Sequence, residues 1–140
     1  RGWVQVEEQQ KRPIGAGLVV LIGIGKDDDD RDARYISDKI LNLRIFPDQE
    51  GKFNYSIADL GGELLVVSQF TLYGDCRKGR RPSFTDAAAP EDALPLFEKL
   101  LDFLRESGLP LVTGEFQTMM EVGIINEGPV TVLLDSKKAF

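Results

Sequence analysis

A three-layer α/β/β fold, formed as a single domain over residues 1–140 with mostly antiparallel sheets, is predicted by three observations. The chain holds about seven short apolar or alternating runs, only two stretches of helical periodicity, and turn residues between nearly all of them. Two helices can cover one face of one sheet. The second sheet still needs cover, which a symmetric dimer would supply by burying a face or an edge against its twin. A length of 140 residues with 42% hydrophobic content suits one domain with a true core and is short for two.

Val4 and Val6 alternate with Gln5 and Glu7 as in a half-buried strand, and Lys11 to Gly17 carries turn residues, so a β-hairpin opens the chain. The start at Arg1, without methionine, predicts that a preceding segment, which could be another strand, is missing. Leu18 to Ile24 is continuous, β-branched and too short for an ordinary helix, which predicts a buried strand. A helix is predicted from Asp29 to Arg44, with carboxylates at its start and Ala33, Ile36, Ile40 and Leu43 at helical spacing. Pro47 to Lys52 is a break, Phe53 to Ile57 a short strand, and Leu64 to Phe70 a second apolar strand. After a polar loop from Tyr73 to Ala89, a second helix is predicted over Asp92 to Ser107. Its stripe is Leu94, Phe97, Leu100, Leu101 and Leu104, with Pro95 in the first turn and Gly108 as the stop. Leu109 to Phe116, Met119 to Ile125 and Pro129 to Leu134 read as three closing strands.

Composition removes several kinds of chemistry. The chain has no histidine, so Ser-His and Cys-His dyads and imidazole metal ligation are unavailable. A single cysteine, Cys76, can form neither an internal disulfide nor a Cys-rich zinc site, and as a nucleophile it would lack an imidazole partner. The acidic run from Asp27 to Asp32 fails as a calcium loop, because counting from Asp28 puts Ala33 at the glycine position and Lys39 at the bidentate acid position. Gly25-Lys26 fails as a phosphate loop, with Val20 at the first glycine position and Asp27 where Ser or Thr should bind magnesium. No metal or cofactor is expected. The longest apolar run is far below the roughly 20 residues of a membrane span, which predicts a soluble cytoplasmic protein. A net charge of −6 repels polyanions at long range, so nucleic-acid binding would need a local basic patch. Arg77, Lys78, Arg80 and Arg81 form one around Gly79.

Two polar motifs sit beside apolar runs. In Ser68-Gln69-Phe70-Thr71, strand alternation would send Ser68 to one face with Phe70, and Gln69 to the other with Thr71. These hydroxyls could simply cap a strand end. As a nucleophile, Thr71 or Ser68 would need a lysine or carboxylate base from elsewhere in the fold. In Asn126-Glu127-Gly128-Pro129-Val130-Thr131, the Gly-Pro step permits a cis peptide and unusual backbone angles, so its carbonyls can be aimed as paired acceptors. An ordinary tight turn is the alternative.

The stretches Val67-Ser68-Gln69-Phe70-Thr71-Leu72-Tyr73-Gly74-Asp75, Lys78-Gly79-Arg80-Arg81-Pro82-Ser83-Phe84 and Asn126 to Thr131 resemble the D-aminoacyl-tRNA deacylase family. The similarity runs from about Trp3 to Ser136, and three motifs in this order and spacing make it specific. The resemblance implies a homodimer that hydrolyses the ester between tRNA and a D-amino acid or glycine. In it, Gly128 and Pro129 of each subunit, in the cis form, complete the other's pocket and reject L-side chains. The 2′-hydroxyl of the terminal ribose would supply the chemistry, while Ser68, Gln69, Phe70 and Thr71 position the ester and backbone amides near Phe70 or Thr71 hold the oxyanion. Asn126 and Thr131 would belong to the substrate site, Phe84, Phe116 and Met120 could line it, and Arg77, Lys78, Arg80 and Arg81 would meet phosphates of the tRNA acceptor end. No DNA or membrane partner is expected. Gln117 and Thr118 replace the family's usual Gly-Ala pair after Phe116, which predicts an altered pocket shape there. Two other readings remain: a small-molecule esterase or amidase acting through Thr71 or Ser68, and a noncatalytic RNA-binding dimer.

Overall fold

The computed structural model describes residues 1–140. Strand β1 (Gly2–Val6) turns into β2 (Arg12–Ile14), so the opening hairpin closes within the stretch read from sequence as turn. Strand β3 (Gly17–Ile22) leads into α1 (Asp30–Asn42). The α1 start is set by a capping box in which the Asp29 side chain accepts the Arg31 amide at 2.9 Å and the Asp32 carboxylate accepts the Asp29 amide at 2.9 Å. Strands β4 (Phe46–Pro47) and β5 (Phe53–Tyr55) form a small ribbon. The strand expected to reach Ile57 stops early because Ser56 caps a single helical turn, α2 (Ile57–Leu60), with Ile57 buried beneath it. Strand β6 (Glu63–Ser68) follows, then a 3-10 turn over Phe70–Tyr73, helix α3 (Pro90–Arg105), β7 (Leu111–Thr113) and β8 (Met120–Ile124).

The chain forms a mixed α/β fold with an antiparallel sheet ordered β2-β1-β8 and a second sheet ordered β3-β6-β7. That second sheet departs from the antiparallel expectation, since β6 pairs in parallel with both neighbours. The connections explain why. The path from β3 to β6 contains α1 and that from β6 to β7 contains α3, and helical crossovers return the chain to the same end of the sheet. Both steps move the same way across the sheet, so α1 and α3 pack together on one face.

Alternation along β6 divides the core. Leu64 and Val66 join Ile40, Phe97, Leu100 and Leu104 on the helix side, whereas Leu65 and Val67 meet Val4 and Ile14 of the antiparallel sheet. These four consecutive β6 residues are 0–2% exposed, as expected of a strand covered on both faces. Each contributes about 1.5–3 kcal/mol of burial.

Helix α3 begins earlier than its periodicity suggests, with Pro90 at the first helical position. Pro95 therefore falls in the second turn and forgoes a bond to the carbonyl of the exposed Glu91. Ala93 takes the buried place expected of Leu94, which is 37% exposed. The strand expected over Pro129 to Leu134 does not form: the segment pairs with no strand of the chain, and Leu133 is 70% exposed. No helix is long and apolar enough to cross a membrane.

Gly17 faces Glu63 across the β3–β6 ladder, and a Cβ there would stand 1.8 Å from the Glu63 carbonyl oxygen. Gly17→Ala is expected to lower unfolding free energy by about 1–3 kcal/mol or more in denaturant titration. Gly15→Ala, whose nearest atoms would be 3.7 Å away, should stay within about 0.5 kcal/mol of the parent.

Candidate functional site

The C-terminal ends of the parallel strands β3 and β6 lie together, with Ile22 opposite Ser68. Open α/β sheets present polar groups to ligands at this end. The Gln69 amide makes the closing bond, donating to the Ile22 carbonyl at 2.7 Å, and the backbone then leaves the sheet. The 3-10 turn is held by the Leu72 amide on the Gln69 carbonyl at 3.2 Å and the Gly74 amide on the Thr71 carbonyl at 3.0 Å. As at any helix start, the first amides, of Phe70 and Thr71, have no acceptor within the turn.

This turn revises the strand-alternation reading of the first motif. Gln69 and Thr71 do come together, but through the turn, with the Gln69 side-chain amide donating to the Thr71 hydroxyl oxygen. The partner of Thr71 is thus an amide rather than a carboxylate or amine able to take its proton. Phe70 projects 57% exposed and meets Phe84 edge to face, with ring centroids 5.2 Å apart. That contact joins the first motif to the basic loop, and a Cβ on Gly74 would come within 3.2 Å of the Phe84 ring.

Ser68, Phe116 and Met120 line a small cavity of about 10 Å³ with Val66, Phe97 and Gly114. It has room for about one water molecule. Gly114 escaped the sequence reading. A Cβ there would lie 2.2 Å from the Met120 sulfur, so glycine is what lets Met120 close the cavity. Phe84 is not part of this lining, and neither are Gly128 and Pro129. Gln117 takes φ of 56°, a backbone conformation that glycine adopts without steric cost, and is exposed outside the lining. Neither Gln117 nor Thr118 is part of the cavity lining. A larger cavity of about 340 Å³, between the start of α1 and α3, contains none of the motif residues.

The second motif is an exposed bend in which the Gly128–Pro129 peptide is cis. Asn126 organises it, its side-chain oxygen accepting the Val130 amide at 3.0 Å and its nitrogen donating to the Thr131 hydroxyl at 3.2 Å. Asn126 to Pro129 and Thr131 are exposed, and within one chain the bend reaches neither Ser68 nor the 3-10 turn through any hydrogen bond.

The basic loop is closed at its base by paired Asp75 and Ser83 backbone bonds of 2.7 and 3.0 Å. Its four cations are not equivalent. Arg77 folds back onto Asp75, with bonds of 2.9 and 2.7 Å, while Lys78, Arg80 and Arg81 extend around Gly79, whose φ is 68°. Cys76 is an exposed thiol in the same loop.

Known proteins match this chain over nearly its whole length. A family model described as D-Tyr-tRNA(Tyr) deacylase matches residues 1–135. The chain belongs to this deacylase family. A relative from Heliobacterium modesticaldum, named D-aminoacyl-tRNA deacylase, is 57% identical over 98% of this chain and 91% of its own length. Another, from Bacillus subtilis, is 55% identical over 94% of this chain and all of its own length, and is named an inactive D-aminoacyl-tRNA deacylase. A solved structure described as c-Myc DNA Unwinding Element Binding Protein superposes with a TM-score of 0.87 at 37% identity, covering 96% of this chain and 91% of that one. Its name concerns that protein; the family assignment here rests on the full-length matches.

The Arg77 hydrogen bonds hold the Asp75 carboxyl down at about 2. A depressed carboxyl stabilises the fold above its unfolded value of 3.8 and loses that contribution as pH falls through about 2. Carbon-detected NMR titration should therefore place the Asp75 midpoint near 2, and Arg77→Gln should move it toward 3.8.

Proposed function

We propose that this protein hydrolyses the ester of D-aminoacyl-tRNA, and of glycine mischarged on tRNA, as a cytoplasmic homodimer. The observation that carries the reading is the turn at Phe70–Tyr73, which sets two backbone amides without intraturn acceptors at the end of a doubly buried strand. Amides placed there can hold the oxyanion that develops as water adds to the ester carbonyl, and removal of one such donor costs on the order of 3 kcal/mol in the transition state. The ribose 2′-hydroxyl assists the water. The water oxygen bonds to the carbonyl carbon, the bond from that carbon to the esterified ribose oxygen breaks, and a proton from the water passes to that leaving oxygen. The chain has no histidine to serve as base, and Thr71 is engaged by Gln69, so the RNA rather than a protein nucleophile drives the step.

The homodimer completes the three-layer α/β/β subunit by covering β8, an edge strand of its sheet, and the exposed Ile124, Ile125, Val132 and Leu133 around the second motif. In the same reading Gly128 and Pro129 enter the partner's pocket, where their carbonyls hold the substrate amino group and leave no space for an L-side chain. Asn126 and Thr131 keep that bend in shape. Phe84 and Phe70 receive the terminal adenosine, and Phe116 and Met120 form the pocket floor behind Ser68. Lys78, Arg80 and Arg81 meet acceptor-end phosphates, joined by Arg77 once it exchanges Asp75 for phosphate.

Incubation with matched D- and L-aminoacyl-tRNA should discharge the D-ester and spare the L-ester. Thr71→Ala should retain most of the activity; its complete loss would support a threonine nucleophile. The name of the Bacillus subtilis relative favours a second reading, a noncatalytic RNA-binding dimer. That reading gains if charged tRNA binds with both esters left intact.

Phosphate contact has a separate test. Affinity for charged tRNA should fall between 50 and 200 mM salt, with a slope lowered by about 0.7–0.9 for each cation removed from Lys78, Arg80 and Arg81 by alanine substitution. A salt-independent affinity would remove the loop from the interface.

A further inference from the structure

The segment after the Gly-Pro bend makes no strand, yet it ends on a well-formed electrostatic contact. The Lys137 ammonium donates to both Asp32 carboxylate oxygens, at 2.9 and 3.0 Å, and lies 3.7 Å from Asp28. The two carboxylates are largely covered, with side chains 9% exposed for Asp28 and 13% for Asp32. Asp135 shapes the approach by accepting the Lys137 and Ala139 amides at 3.0 and 3.2 Å, and Leu134 packs against the helix-side core.

Asp28 also lies close to the end of the 3-10 turn, across Gly25. Asp28 accepts the Gly25 amide at 2.7 Å, and a Cβ on Gly25 would stand 2.6 Å from the Tyr73 hydroxyl and 3.3 Å from the Asp28 oxygen. Tyr73 is the last residue of the 3-10 turn. Burial, and then the Asp28 charge, push its hydroxyl pKa up, in keeping with this proximity. One acidic corner at the start of α1 therefore meets both the turn carrying the free amides and the tail carrying the bend. The bend itself is tied only by Asn126, within its own loop.

The geometry points to Lys137 as a positioning residue for deacylation: by clamping the tail onto Asp28 and Asp32, it fixes the direction in which Gly128 and Pro129 are presented. This inference rests on the deacylase reading above. Lys137 touches no substrate. Loss of the clamp leaves the chemistry intact but misplaces the bend, and misplacement on the scale of 1 Å costs up to about a hundredfold in rate.

The experiment compares the full chain with Lys137→Gln and Lys137→Arg, using kcat and KM on D- and L-aminoacyl-tRNA together with backbone NMR order parameters for residues 130–139. Lys137→Gln is expected to lower kcat on the D-ester by about ten- to a hundredfold, narrow the D-over-L ratio and leave KM unchanged. Order parameters in the tail should drop toward about 0.6, and Lys137→Arg should restore all of these values. Parent-like kcat in Lys137→Gln would overturn the inference. A loss confined to KM would also overturn it, by making Lys137 an RNA contact. If the parent protein discharges neither ester, the deacylase reading falls and with it this role of Lys137. The order parameters then show separately whether the clamp holds the tail.

Discussion

The structure depends on β6. Its four central side chains are buried alternately against the helices and against the antiparallel sheet, and its backbone is paired in parallel on both sides. A strand constrained on every side cannot slip by one residue without exchanging its two core faces. Ser68 is therefore held at a fixed height, and whatever follows it inherits that position. The 3-10 turn begins where pairing stops, and its leading amides have no acceptor within the turn.

Around this fixed point the functional groups differ in how firmly they are held. The turn is closed by backbone bonds and by Gln69, the basic loop by the Asp75–Ser83 bridge, and the second motif by Asn126 and the salt bridges beyond it. In the proposed deacylase reading, rigid elements near the ester and exposed cations farther away suit a site that must judge a small group at the tip of a large polyanion. Amides and carbonyls fixed in advance need little reorganisation when charge develops, and flexible cations adapt to a backbone of variable path. Apolar residues about the bend and at Phe70 and Leu72 are exposed at this end of the chain.

Much was legible in the sequence because local rules governed it. The Asp-rich start of α1, the stripe of α3, the alternation in β1 and the continuous run of β6 all depend on neighbours within a few residues. Pro95 misled because two prolines compete for the first turn of α3, and Pro90 occupies it. The run at Pro129 to Leu134 misled for a different reason: its residues favour a strand, but a strand needs a paired backbone, and the segment pairs with none in the chain.

The sequence alone settled which chemistry is excluded, where the polar motifs fall, and which family their order resembles, since these follow from residue identity and spacing. Only the tertiary structure decided that β6 is flanked by parallel partners, that Gln69 engages Thr71 through a turn, that Arg77 is held by Asp75, and that Lys137 reaches Asp28 and Asp32. Pairing direction is set by where each crossover helix packs. A contact between residues about a hundred positions apart exists only once the chain between them has folded, and no local pattern records it.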